Sequence, residues 1–128
     1  MALKTKFLPM MEIAEYIKNA GFTGENAGIA IAVIWAESGG NAWAVNINSA
    51  PSKPTDGSLD LGLCQWNTYW FSNVKPHQAF DPQYSCNLMF LASKGSNFMY
   101  WNAFVNKYHV KYLAYGYACA QAVDTPGT

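Results

Sequence analysis

Apolar and polar positions divide the chain into helical stretches around one polar, turn-rich segment. Met10, Ile13, Ala14 and Ile17 follow Pro9 at helical spacing, and Gly21 comes next. This predicts a first helix begun near the proline and stopped at the glycine. Thr23 is placed to cap a second helix, with Glu25 in its first turn, where the helix dipole favours negative charge. From Ile29 to Ala36 every residue is apolar. A helix that is apolar all round has no face to give to water, so this one is predicted to be central and buried, running to about Glu37. Gly39 and Gly40 end it.

The helical period disappears from Asn41 to about Leu63. "NSAPSKPTDGSLD" is rich in turn formers, and Asp56-Gly57 is a hairpin-turn candidate; the segment is predicted to be a small, irregular β-lobe. "FDPQYSCNLMFLASKG" reads as a complete helix, with Asp81 as N-cap, Pro82 at the first position and Gly95 at the end. Residues 97 to 122 read as one or two further helices packed by aromatics. Residues from about 122 to 128 read as a tail or the start of a linker. No internal repeat interrupts the pattern. The predicted fold class is α+β, mostly α, with a central buried helix and a small β-lobe inserted after it, in one domain spanning residues 1–128.

Composition narrows the function classes. Of 128 residues, 51% are hydrophobic and only 12% charged, which supports a packed core and argues against disorder. Eight basic and eight acidic residues leave no net charge, so nucleic acid is an unsuitable partner for want of a basic stripe. Aromatics make up 16% of the chain; they suit an uncharged, ring-shaped ligand or a core. Cys64, Cys86 and Cys119 show no paired spacing and are odd in number, which favours buried reduced thiols. His77 and His109 lie far apart with no HExxH pattern, so a zinc site is not expected, and the reading as a whole implies no metal or organic cofactor. No run approaches the length of a membrane span. The N-terminal "MALKTKFLPMMEIAEY" is broken by Pro9 and Glu12 and is not a recognisable signal peptide.

The chemistry starts at Glu37, a carboxylate placed directly after the apolar run. A buried acid is unfavourable unless paired or neutralised. Either Glu37 escapes to solvent at the helix end, or burial and the nearby helix carbonyls raise its pKa, the condition for a general acid near neutral pH. A second acid, Asp60, lies in "TDGSLDLGLCQWNTYW", among polar turn residues. One acid in an apolar place and another in a polar place is how two carboxylates acquire different roles. Glycosidic cleavage needs such a pair, a proton donor and an anionic partner across a cationic transition state. Gln65 and Asn67 add amides at alternating positions. Trp70 offers a flat face for a sugar ring or, equally, a core side chain. Asp56 competes with Asp60, but as the first half of Asp-Gly it is better suited to the turn.

Residues 37 to 73 resemble the active-site segment of the lysozyme-like superfamily. "ESGGNAWAVN" is similar to the family's E-S-x-x-N-x-x-A-x-N, which carries the catalytic acid, here Glu37. "TDGSLDLGLCQWNTYWFSN" is similar to the T-D-G-S-x-D-x-G-(I/L)-x-Q-x-N stretch of animal c-type lysozymes, whose second carboxylate falls on Asp60. E-S and G-L-x-Q also mark the soluble lytic transglycosylases, and the later helical segments resemble domains of phage lysins and tail proteins. Lysozymes are the standard example of a carboxyl pair with divided roles. The resemblance implies a muramidase cutting the β-1,4 bond between N-acetylmuramic acid and N-acetylglucosamine at the bacterial cell wall. Asn46, Gln65, Asn67 and Trp70 would line the glycan cleft, with Trp101 and Phe104 closing its far wall. The alternatives are a lytic transglycosylase and, in another class, a phage tail component that binds cell wall. The expected partner is the peptidoglycan glycan strand, met by a monomer or by one domain of a larger phage protein. The cysteine framework of animal c-type lysozymes is absent. The Glu37-to-Asp60 interval is lengthened in the "INSAPSKP" region, and Phe104 stands where the family usually has a tyrosine. These departures place the kinship with phage or microbial enzymes.

Overall fold

The computed structural model describes residues 4–124. Helix α1 (Met10–Ala20) begins directly after Pro9, which is its N-cap, and ends at Gly21 in the left-handed conformation. It buries Ile13, Ala14 and Ile17. Helix α2 (Gly24–Ser38) is the centre of the molecule, with Ala27, Gly28 and the whole run from Ala30 to Ile34 buried. Thr23 sits at its N-cap position but makes no side-chain cap. The apolar run is therefore buried because neighbours cover it on several sides: α1, α6 (Leu113–Asp124) and α5 (Asn102–Val105) all pack against it. The approach of α2 to α6 is close enough to require glycine on both sides. A Cβ on Gly28 would overlap the Tyr117 ring, and one on Gly116 would overlap the Gly28 carbonyl oxygen.

After α2 come three short antiparallel strands, β1 (Val45–Ile47), β2 (Leu59–Leu61) and β3 (Trp66–Asn67), in the order β1-β2-β3. This lobe reaches beyond its expected end at Leu63. The chain reverses through Gly62 and Gln65, both at positive φ (77° and 54°), and adds β3. Asp56-Gly57 is not a two-residue hairpin turn. It lies at the return end of a longer loop, where the Asp56 carboxylate accepts the Ala50 N–H at 2.9 Å and the Gly57 N–H donates to the Asn48 carbonyl at 2.8 Å.

A short helix α3 (Pro76–Ala79), which the pattern did not predict, leads into α4 (Pro82–Ser93). The α4 start is as expected: the Asp81 side chain accepts the Tyr84 N–H at 2.9 Å, and Pro82 follows. Its end comes slightly early, with Lys94 rather than Gly95 as the left-handed cap. Residues 97 to 124 hold α5, one 3-10 turn and α6. Helix α6 runs to Asp124, so the residues from 122 form its last turn, and the rest of the expected tail lies outside the described residues. The molecule is thus α+β and mostly α. No described helix is long and apolar enough to cross a membrane.

Candidate active site

Glu37 occupies the last turn of α2, just ahead of the left-handed cap at Gly39. Its side chain does not fray: one carboxylate oxygen, Oε2, accepts the Ala103 N–H of α5 at 3.0 Å. Burial pushes the carboxyl above its ordinary range, and the negative charge of Asp60 adds to the rise. The Ala103 N–H opposes it, but the net direction is upward. The carbonyl of the same residue, in the following peptide group, lies 3.1 Å from His109 Nδ1. A carbonyl can only accept, so Nδ1 carries the hydrogen.

Asp60 sits on the middle strand, across from Asn46 on β1 and Asn67 on β3. Its oxygens are fixed by two amides, Oδ1 by Asn67 Nδ2 at 2.8 Å and Oδ2 by Asn48 Nδ2 at 3.2 Å. Both amides also reach Ser58 Oγ, at 3.0 and 3.2 Å. The two acids therefore sit in contrasting places, one half-buried at a helix end and one tethered in a polar sheet.

Glu37 and Asp60 share a cleft of about 670 Å³, with Gln65, Asn67 and Trp70 along it. Trp70 is 68% exposed and meets Tyr69 edge-on, so it is not core. Trp101 also lines this cleft but is a buried floor and not an outer wall. Its indole N–H donates to the Cys64 carbonyl at 2.9 Å, and its ring meets Trp66 edge-on. Gln65 accepts from Asn46 Nδ2 at 2.6 Å and donates to the Gly62 carbonyl at 3.0 Å. Asn46 is brought to the site through this amide pair, but it lines a second cavity, of about 610 Å³. Glu37 lines both cavities and so stands at their junction.

Phe104 lines neither cavity. Its ring packs against His109 and Phe98, with centroids 4.9 and 5.7 Å away, and the expected far wall at this residue is corrected. The backbone of Ala103, not the Phe104 ring, is what α5 turns towards the acid. Met99 and Tyr100 border the cleft in its place.

Sequence reasoning missed Asn48, the second amide on Asp60. It lies two residues after Asn46, and that period-two spacing along a strand could have found it. It also missed the Ala103 N–H, for which no residue type gives a signal. Among the described residues, no group of three or more His, Cys, Asp or Glu side chains could hold a metal ion.

A family described as a lysozyme-like domain matches residues 14–103. No curated protein and no solved structure matches the chain. The matched segment takes in the central helix with Glu37, the β-lobe with Asp60 and the start of α5 with Ala103, and the chain belongs to the lysozyme-like domain family.

Proposed function

We propose that the protein is a muramidase, cutting the β-1,4 bond between N-acetylmuramic acid and N-acetylglucosamine in peptidoglycan at the bacterial cell wall. Membership of the lysozyme-like family supports action on peptidoglycan of the lysozyme or transglycosylase type. The observation that carries the finer reading is the position of Glu37. It is an acid driven towards its protonated form, at the junction of two cavities, and it shares one of them with a tethered second carboxylate. Such an acid can hand its proton to the leaving glycosidic oxygen. Asp60, facing the same cleft, stabilises the positive charge that develops on the sugar ring or attacks it as a nucleophile. Gln65 and Asn67 orient the glycan, and the exposed Trp70 ring supplies a stacking face.

In hydrolysis, water completes the reaction and leaves a reducing muramic acid end. In a transglycosylase, the muramyl 6-hydroxyl takes the place of water and an anhydro sugar forms. Mass spectrometry of the products from purified peptidoglycan separates the two by the mass of one water. Hydrated muramyl ends support the muramidase, and anhydro ends overturn it in favour of the transglycosylase. A protein that binds cell wall and releases no fragment overturns both.

A further inference from the structure

His109 is the one buried residue between Phe104 and Gly116, and the proposed chemistry gives it no part. Two of its nitrogens meet a single atom. Its backbone N–H donates to the Ala103 carbonyl at 3.2 Å, and its ring Nδ1 reaches the same oxygen at 3.1 Å. A carbonyl oxygen has two lone pairs, so it can accept both hydrogens. The chain returns for this contact through Lys107, a non-glycine residue at φ 61°. The imidazole lies nearly flat on the Phe104 ring, with 27° between the planes.

This grip matters because α5 cannot hold itself. A helix of four residues is about one turn, too short to be stable alone. Yet its Ala103 N–H is the donor to Glu37 Oε2. Ala103 is thus held at both of its peptide groups, by Glu37 before its Cα and by His109 after it. His109 itself has a firm base. Its carbonyl accepts the Tyr112 N–H at 2.9 Å, within the 3-10 turn Val110–Tyr112 that packs against α2. The chain of contacts therefore starts and ends on the helix that carries Glu37.

An N–H pointed at Oε2 favours that oxygen as the acceptor, so a protonated Glu37 carries its hydrogen on Oε1. We propose that His109 is a positioning residue, which holds the Ala103 N–H on Oε2 and thereby keeps the transferable proton on Oε1. This rests on the glycan-cleaving reading, in which Glu37 is the acid. Neither Ala103 nor His109 lines either cavity, so the effect falls on the proton and not on glycan binding. Among the described residues, the charged groups that share a cavity with Glu37 are Asp60 on β2 and Lys4 near the N-terminus. Substitutions at His109 leave both in place.

Two variants and one spectroscopic measurement test this. His109→Phe keeps a ring on Phe104 and loses the Nδ1 donor, while His109→Asn keeps an N–H donor at similar reach and loses the ring. His109→Phe is expected to lower kcat on peptidoglycan about three- to tenfold, the scale of one hydrogen bond, with KM unchanged. The alkaline limb of its rate profile should move to higher pH. The Ala103 N–H holds the Glu37 pKa down, and a general acid works only while protonated. His109→Asn should keep most of the wild-type kcat and the wild-type limb. A folded His109→Phe protein with wild-type kcat and limb overturns the proposal, and so do equal losses in both variants with an unmoved limb. NMR of the wild type needs neither variant to fold. The neutral His109 ring should carry its hydrogen on Nδ1, and the Ala103 amide proton should shift as Glu37 ionises. A neutral ring with its hydrogen on Nε2, or an Ala103 amide indifferent to Glu37, overturns the positioning role. A wild type that meets both NMR expectations but releases no fragment from peptidoglycan overturns the glycan-cleaving reading and leaves the hydrogen bonds from His109 to Glu37 standing.

Discussion

Replacing Gly62 with alanine perturbs the hinge between the β-lobe and the helices. Gly62 has φ of 77°, and a Cβ there would overlap the Ala79 carbonyl oxygen and lie 2.8 Å from its carbon. Its own N–H donates to the Ala44 carbonyl at 2.8 Å, and its carbonyl accepts both the backbone and the side-chain N–H of Gln65. Two terms therefore add. A non-glycine residue in the left-handed region costs about 1–2 kcal/mol. Forcing a methyl against rigid backbone costs about 1–3 kcal/mol more. The sum is about 2–5 kcal/mol, which for a domain of this size lowers Tm by roughly 6–20 °C. Gly57→Ala is the control, because Gly57 has a similar φ of 80° with nothing within 4 Å of the added methyl. It should show only the first term, about 1–2 kcal/mol. Urea unfolding of both variants, followed by circular dichroism, gives the difference directly. Gly62→Ala should also lose activity in its folded form, since relieving the overlap moves Gln65 and β2 relative to Glu37. A Gly62→Ala protein as stable as Gly57→Ala would refute the close approach on which this placement of the lobe depends.

Three further outcomes are expected. Glu37→Gln should be more stable than wild type at neutral pH. The buried carboxyl has a raised pKa, so its stability contribution is complete below the ordinary carboxylate range and is lost as pH rises through the raised value. Melting curves across pH should show this advantage closing in acid, and a constant or reversed gap contradicts it. Trp70→Ala should keep the wild-type Tm, because the ring is largely exposed, while weakening binding of chito-oligosaccharides more than it lowers the maximal rate; an unfolded variant would return Trp70 to the core. Replacing Cys64, Cys86 and Cys119 with alanine should lower Tm yet leave a folded protein, and reductant should not change wild-type stability, since all three are free thiols. The hydrogen bond to Cys64 and burial both push the Cys86 thiol up, which keeps it unreactive. Loss of folding on reduction would contradict this.

The parts of the fold that were legible in sequence are those whose signals are local. The run from Ile29 to Ala36, closed by two glycines, announces α2, and both glycines take the positive φ that a helix stop uses. Asp81 and Pro82 announce α4 by cap chemistry that involves only neighbouring residues. The strands were harder, because two or three residues are too few to establish alternation. Helix α3 is a single turn and leaves no period to read. Contacts that close over long sequence separations were not legible at all. The segment Lys6–Leu8 pairs with residues 40–42, and Ala103 reaches Glu37 through a backbone N–H that no side chain advertises. Phe104 misled for the same reason. An aromatic beside the site was expected to face the cleft, but the direction of a short helix is set by its packing against His109 and Phe98.

The central claim is that Glu37 donates the proton that breaks the glycosidic bond, and turnover of purified peptidoglycan by Glu37→Gln tests it most directly. The amide keeps the shape and can still accept the Ala103 N–H, but it has no acidic proton to give. The account predicts a folded protein, confirmed by circular dichroism, whose rate falls by at least about a hundredfold, the lower end for general acid catalysis. A folded Glu37→Gln protein that releases muropeptides at the wild-type rate would contradict it.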